Sequence, residues 1–375
     1  MKKNALFIFG TRPEAIKLAP LIILGKKNNM FNIVTCSTGQ HKEMLSQVLD
    51  FFSIDVNFSL NVMKPNQSLS YLTGEIARKI EDVVSKRNYS IIIVQGDTTT
   101  AFIGSLIAFY HKIPIAHVEA GLRTFDKYAP FPEEINRSMI SRIADFNFAP
   151  TKESEENLLR ENTNKEKIFV IGNSVIDSLT IARNIIKSKK WTNKLSERYA
   201  FIPKEKKLIL VTGHRRESFG RPFENICNAI KKIAKERKDI QIVYPVHLNP
   251  NVRKPVNKIL AGIDRISLIE PVAYPDIIYL LENAHIILTD SGGVQEEAPS
   301  FKKPVFVMRE VTERPEGIDA GVAKLVGTDP VKISIEIEKV LNSSKYYNSF
   351  SVNENPYGDG KAAKRFYKII RKKIQ

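Results

Sequence analysis

Three acids fall where an α/β chain can do chemistry: Asp97 in QGDTTTAF, Glu119 in HVEAGLRT and Glu133 in PFPEEINR, on loops that follow short apolar runs. Carboxylates gathered beside a substrate have their pKa values driven apart by burial and mutual repulsion, as general acid and base roles require. An Asp before a helix is, alone, more often a cap than a catalyst; three acids in one cluster reverse that reading. Cations accompany them. Arg12 and Lys17 of GTRPEAIKLAP can face a ligand, and His214, Arg215 and Arg216 of TGHRRESFG, with His247 of YPVHLNPNV, stand where a phosphate could approach. The sharpest local signal is TDSGGVQEEAP, in which Ser291, Gly292 and Gly293 lead from a strand into a helix. Glycines there let backbone N–H groups and the positive helix end approach an anion. Glu297, one turn on, can accept from two vicinal ribose hydroxyls, and Arg309 and Arg314 follow from the next strand and its loop. A nucleoside diphosphate satisfies cradle and acid together.

Other chemistries are disfavoured. No GxGxxG occurs, so neither a nicotinamide nor a flavin is expected. A metal held by His214, His247 and Asp290 would lack any HxH, HExxH or CxxC spacing, and no cofactor of any kind is expected. Cys36 and Cys227 form no paired spacing, which argues against a disulfide framework and fits a reducing cytoplasm.

The elements that must position these residues are legible as short apolar runs alternating with helical periodicity, which indicates an α/β chain with parallel sheets and crossover helices. Strands are expected at Ala5–Phe9, Ile33–Ser37, Ile91–Gln95, Ile115–Val118 and Phe146–Ala149. A second series is expected at Leu208–Thr212, Ile240–Val246, Ile266–Ile269, Ile286–Thr289 and Val305–Met308. After Asp97, the spacing of Phe102, Ile103, Leu106, Ile107 and Tyr110 predicts a helix that Thr98–Thr100 can cap. Residues 183–207, rich in Lys and Asn, lack a strong apolar run after Ile186, and a hinge is expected at or before them. The 375 residues exceed a typical domain of about 150 more than twofold, so two domains are the prior. Hydrophobic residues at 43% supply two cores and exclude a disordered chain. No apolar run is long enough to span a bilayer. The formal net charge of +16 admits nucleic acid, an anionic membrane or a phosphate-bearing small molecule. Much of that charge lies in residues 361–375, where Ala362, Phe366, Ile370 and Ile374 recur every four positions, so a solvated basic face on an amphipathic helix accounts for it. No RNP-like aromatic pattern or GXXG loop supports RNA binding.

GTRPEAIKLAP, QGDTTTAF, HVEAGLRT, PFPEEINR, TGHRRESFG, YPVHLNPNV, TDSGGVQEEAPS, TERPEG and NPYGDG together resemble the motif series of the non-hydrolysing UDP-N-acetylglucosamine 2-epimerases. They occur in family order and cover essentially the whole chain. The resemblance implies a GT-B architecture: a Rossmann-like domain over residues 1–172, a Rossmann-like UDP-binding domain over 173–360, and a C-terminal helix at about 361–375 returning to the first. It implies an active site in the cleft between them, where the acids of the first domain meet a diphosphate held by the second. It further implies reversible conversion of UDP-N-acetylglucosamine to UDP-N-acetylmannosamine for surface polysaccharide precursors. UDP would leave by anti elimination to 2-acetamidoglucal and return by syn addition, without metal or nicotinamide. By resemblance Asp97, Glu119, Glu133 and His214 act in or around catalysis, with no single carboxylate assigned the C2 proton. Arg12, Lys17, His247, Ser291, Gly292, Gly293, Glu297 and Arg314 match substrate and UDP contacts. Some bacterial members bind a second UDP-N-acetylglucosamine as an activator, and Gln40, His41 and Gln67 match those positions. Glu43 and Asn66 depart from that pattern, as do Phe125 and Ala129 in the TFDKYAPFPEE loop, where altered packing or activator response is expected. Members are usually homodimers. The rivals are a GT-B glycosyltransferase, disfavoured by the set of acids and cations at the donor sugar, and a hydrolysing epimerase, disfavoured by resemblance alone.

Overall fold

The structure is a computed structural model that describes residues 2–374 apart from 41, 65, 352 and 353. Its chain divides into two compact units, Met1–Ile181 with Tyr357–Gln375, and Ala182–Pro356.

The first unit holds β1 (Asn4–Phe9), β2 (Asn32–Ser37), β3 (Phe58–Ser59), β4 (Ile91–Gln95), β5 (Ile115–Val118), β6 (Phe146–Ala149) and β7 (Ile168–Val170) in one sheet, in the order β3-β2-β1-β4-β5-β6-β7. Every pairing in it is parallel. A parallel sheet is covered by helices on both faces, so its central strands must be apolar throughout; β4, IIIVQ, is buried at every residue. The second unit holds β8 (Lys207–Thr212), β9 (Ile240–Pro245), β10 (Ile266–Ile269), β11 (Ile286–Thr289), β12 (Val305–Val307) and β13 (Ala323–Leu325), ordered β10-β9-β8-β11-β12-β13 and also parallel. Both orders reverse direction beside their first strand, as in Rossmann-like sheets. The α/β class is therefore found, and each of the ten expected strands is present to within one residue at either end. The additional strands β3, β7 and β13 are two- and three-residue edges, too short to produce a period.

Residues 183–207 are more ordered than their composition suggests. They contain the helix Lys189–Arg198, held by buried Leu195 and by Tyr199, whose hydroxyl donates to Asp276 Oδ1 at 3.0 Å. The basic C-terminal segment forms the helix Ala362–Lys373. Phe366, Tyr367 and Ile370 are buried, and the Phe366 ring lies 4.6 Å from that of Phe148. Full burial of a side chain such as Phe366 stabilises by about 1.5–3 kcal/mol. Asp177 accepts from the N–H groups of Ala362 and Ala363 at 3.1 and 3.0 Å, closing the helix start. Tyr367 Oη donates to Leu21 O at 2.8 Å, passing so close to Gly25 that a Cβ there would lie 2.1 Å from it. Both cysteines are free and buried, and burial pushes each thiol up to about 12. Among the described residues no helix is long and apolar enough to cross a membrane.

Candidate active site

In open α/β sheets, ligands bind beyond the carboxyl ends of the strands where the strand order reverses. In the first unit that point lies between β1 and β4. Gly10 follows β1 in a crowded position, where a Cβ would meet Thr38 Oγ1 at 2.2 Å and Thr100 Oγ1 at 2.6 Å. Thr11 caps the helix Arg12–Asn28, which places half-buried Arg12 in the first turn. Thr98 caps the helix after β4, accepting from Ala101 N at 3.0 Å.

Glu14 ties these two loops together. One carboxylate oxygen accepts from Gly10 N at 3.0 Å, Thr11 N at 2.7 Å and Thr11 Oγ1 at 2.8 Å, and the other from Thr98 Oγ1 at 2.7 Å. Burial nevertheless dominates and raises its pKa from 4.5 to about 7, with the hydrogen bonds from Thr98, Thr11 and Gly10 offsetting part of the shift. Between those two values the folded chain keeps a proton the unfolded chain has lost, so stability falls as pH rises through the window. Glu14→Gln removes the titration while keeping an oxygen for the backbone donors. It should gain on the parent by up to about 3 kcal/mol between about pH 4.5 and 8. Paired thermal unfolding curves across that range check this, and identical pH slopes would count against it.

The acids follow. Asp97 lies just beyond β4 and Glu119 just beyond the neighbouring β5, with Gln95 and Val118 in register at the strand ends. A Cβ on Gly96 would be 3.9 Å from Glu119 Oε2, which puts the Glu119 carboxylate beside the residue preceding Asp97. Each acid meets a cation: Glu119 pairs with Lys17 and also accepts from Gln95 Nε2, while Asp97 pairs with Arg137. Lys17 is thus directed at a buried acid of its own unit. Glu119 has φ 66°, a conformation uncommon outside glycine and frequent at constrained functional positions. Glu133 is half-buried at the first position of the helix Glu133–Ile143. Its neighbour Glu134 reaches inward, accepting from Phe125 N at 3.0 Å and standing 3.4 Å from Arg137 Nη1.

Several residues here carry no sequence signal of their own. Arg137 sits within the PFPEEINR motif, but only a helical-wheel placement toward Asp97 would have singled it out. His117, fully buried, donates through Nε2 to Gly96 O at 2.7 Å, and burial lowers its pKa to about 4, so it braces the Asp97 loop as a neutral group. Of the activator-type positions, Gln40 accepts from Thr100 Oγ1 at 3.2 Å. Gln67 accepts from Lys64 N at 2.9 Å and donates to Met63 Sδ at 2.9 Å. His41 lies outside the described residues.

In the second unit the reversal falls between β8 and β11. Beyond β8 come Gly213, His214 and Arg215; beyond β11 come Asp290, Ser291, Gly292 and Gly293. Thr212 and Thr289 join the strand ends through a hydroxyl contact of 2.6 Å. His214 and His247 stack with ring centroids 5.0 Å apart and planes 11° apart, which brings the ends of β8 and β9 together. Desolvation lowers the His214 pKa; Asp290 opposes this, and His247 and Arg215 add to it.

Ser291 precedes the helix Gly292–Glu297, and nothing lies within 4 Å of where a Gly293 Cβ would stand. Gly292 is covered by the Arg314 guanidinium, whose Cζ would be 2.5 Å from an added Cβ. Arg314 is in turn fixed by Glu296 at 2.7 Å and Glu313 at 2.5 Å, and Arg309 by Glu217 and Glu313 at 2.6 Å each. Burial alone would raise the Glu313 carboxyl, but Arg314, Arg309 and Arg215 hold it well below the usual carboxylate range. Buried Glu297 accepts from Tyr274 Oη at 2.7 Å, which orients one of its oxygens. Among the described residues, no three His, Cys, Asp or Glu side chains group as a metal site.

One unit thus offers acids and cations suited to proton transfer, and the other backbone donors, arginines and histidines suited to a diphosphate. Known proteins share this frame over its whole length. The UDP-N-acetylglucosamine 2-epimerase of Escherichia coli K12 is 50% identical over 369 residues, covering 98% of each chain. That of Campylobacter jejuni is 48% identical over 99% of this chain and 98% of its own. A crystal structure of the Neisseria meningitidis UDP-GlcNAc 2-epimerase, bound to UDP-GlcNAc, matches with a TM-score of 0.95 at 45% identity, covering 98% of this chain and 100% of that one. Residues 25–371 match the family profile itself. On these matches, the chain belongs to the UDP-N-acetylglucosamine 2-epimerase family.

Proposed function

We propose that this chain interconverts UDP-N-acetylglucosamine and UDP-N-acetylmannosamine, releasing UDP by anti elimination to 2-acetamidoglucal and restoring it by syn addition with C2 inverted. The observation that carries the chemistry is the placement of Asp97 and Glu119 at the carboxyl ends of adjacent strands, each against its own cation. The relatives' named activity and the UDP-GlcNAc bound to the Neisseria enzyme supply the substrate.

Breaking the anomeric C–O bond comes first in this reading, since the C2 hydrogen beside an acetamido group is too weakly acidic for direct removal. Charge then develops on the departing diphosphate, and fixed donors at that point carry much of a rate enhancement. Ser291, Gly292, Gly293 and Arg314 are assigned that role, with His214 and His247 beside them. Glu297 is assigned the ribose, Arg12 a substrate contact, Lys17 the setting of Glu119, and Asp97, Glu119 and Glu133 the proton transfers at C2. Gln40, His41 and Gln67 are assigned to an activator site for a second substrate molecule. The product would feed surface polysaccharide synthesis.

Incubation with UDP-N-acetylglucosamine in deuterium oxide tests the route. Deuterium should appear at C2 of both epimers, read by proton NMR; protium retained in both would sink reversible elimination. Accumulation of free N-acetylmannosamine and UDP would instead identify a hydrolysing enzyme.

A further inference from the structure

Asp290 directly follows β11 and is wholly inaccessible to solvent. Its Oδ2 accepts from the backbone N–H of His214 at 2.7 Å and of Arg215 at 2.8 Å, so one oxygen clamps the loop after β8. Its Oδ1 is buried and, among the described residues, has no hydrogen-bond partner. A buried carboxylate oxygen left in that state is costly, and one in a native structure calls for an explanation, a catalytic role among them. The donor at hand is His214 Nδ1, 3.7 Å away. That separation is too long for a formed hydrogen bond but within reach of a small ring rotation, and catalytic hydrogen bonds commonly tighten only in the ligand complex.

We propose that Asp290 is the positioning residue for His214: it holds the imidazole proton on Nδ1, so that Nε2 is the nitrogen offered to the ligand. The inference rests on the epimerase reading for its consequence but not for its geometry. An acid–imidazole pair of this kind fixes tautomer and ring orientation and stabilises the imidazolium when it forms. It works against two neighbours that disfavour charge on His214. The stacked His247 and the guanidinium of Arg215 both disfavour charge on His214, and Asp290 is the acid that opposes them. His247 already has its Nδ1 engaged as acceptor from Asn249 N at 3.1 Å, which leaves His214 as the ring whose tautomer Asp290 controls. As residue types, Asp290 and the two histidines suggest a metal set without its spacing; the distances relate Asp290 to His214 alone.

Nitrogen-15 NMR of histidine-labelled chain, at about pH 8 where a histidine of lowered pKa is neutral, tests this with and without UDP. The spectrum of His214→Asn assigns the signal. The parent should show the Nδ1–H tautomer at His214, whereas an Nε2–H tautomer there, in both conditions, overturns the proposal. Asp290→Asn can keep an oxygen for the two backbone donors while its amide faces Nδ1, which should force the Nε2–H form. It should lower kcat roughly 100-fold or more and move the pH limb that belongs to His214 toward lower pH. Unchanged kcat and pH profile in a folded Asp290→Asn chain would also overturn it, as would an equal further loss on adding Asp290→Asn to His214→Asn. Should Asp290→Asn fail to fold, the tautomer of the parent still decides. Should the parent not interconvert the two nucleotide sugars, the epimerase reading fails while the tautomer remains readable.

Discussion

Asp97→Asn and Glu119→Gln should each lower epimerisation at least about 100-fold while leaving UDP affinity close to that of the parent, because a positioned proton-transfer group contributes on that scale. Both substitutions preserve shape and a hydrogen-bond acceptor, so Arg137 and Lys17 keep a neutral partner in place of a charged one. Arg137 also retains Glu134 at 3.4 Å, which limits the structural cost of Asp97→Asn. Affinity for UDP separates the two explanations of a loss. The groups assigned to the diphosphate belong to the other unit, so calorimetric titration with UDP should return an unchanged Kd if the fold is intact. Turnover like that of the parent in either variant would remove that acid from the mechanism.

Gly121→Ala should cost about 3 kcal/mol or more and leave little folded chain at growth temperature. Gly121 has φ +92°, outside the range a residue with a Cβ readily adopts, and its missing Cβ would lie 2.1 Å from the carbonyl oxygen of Ser154. That neighbour is backbone and cannot swing aside. Ser154 belongs to the helix Lys152–Arg160, which also holds Gly121 O through Asn157 Nδ2 at 3.1 Å. The same contact fixes the path of the chain two residues after Glu119, so a milder disturbance there would still displace the acid. Soluble yield and the denaturant midpoint measure the effect; a midpoint like that of the parent would show that the loop can open without penalty.

The sheets were readable because their strands are buried on both faces and so appear as continuous apolar runs; Ile91–Gln95 and Ile286–Thr289 coincide with the expected spans. What remained hidden was short or polar. Phe58–Ser59 has no length in which to alternate, and the helix Lys189–Arg198 is anchored mainly by Leu195 and Tyr199 within an otherwise charged stretch. At the candidate site, residue types flagged Asp97 and Glu119 through their place after strands, but the partners of those acids come from elsewhere in the chain. Arg137 lies 40 positions beyond Asp97, and Lys17 lies 102 before Glu119, separations that no local pattern encodes. The turn at Ser291–Gly293 was legible from its glycines, whereas the use of Gly292 as a seat for the Arg314 guanidinium depends on tertiary packing.

The helix Ala362–Lys373 shields Phe148 and Leu21, residues made far earlier on the ribosome. Domains usually fold in order of synthesis, but here the middle of the polypeptide can finish folding while the leading portion still waits for its cover. Nascent chains stalled before residue 362 should therefore present a greasy flank to chaperones on the earlier-made half, not on the later-made one.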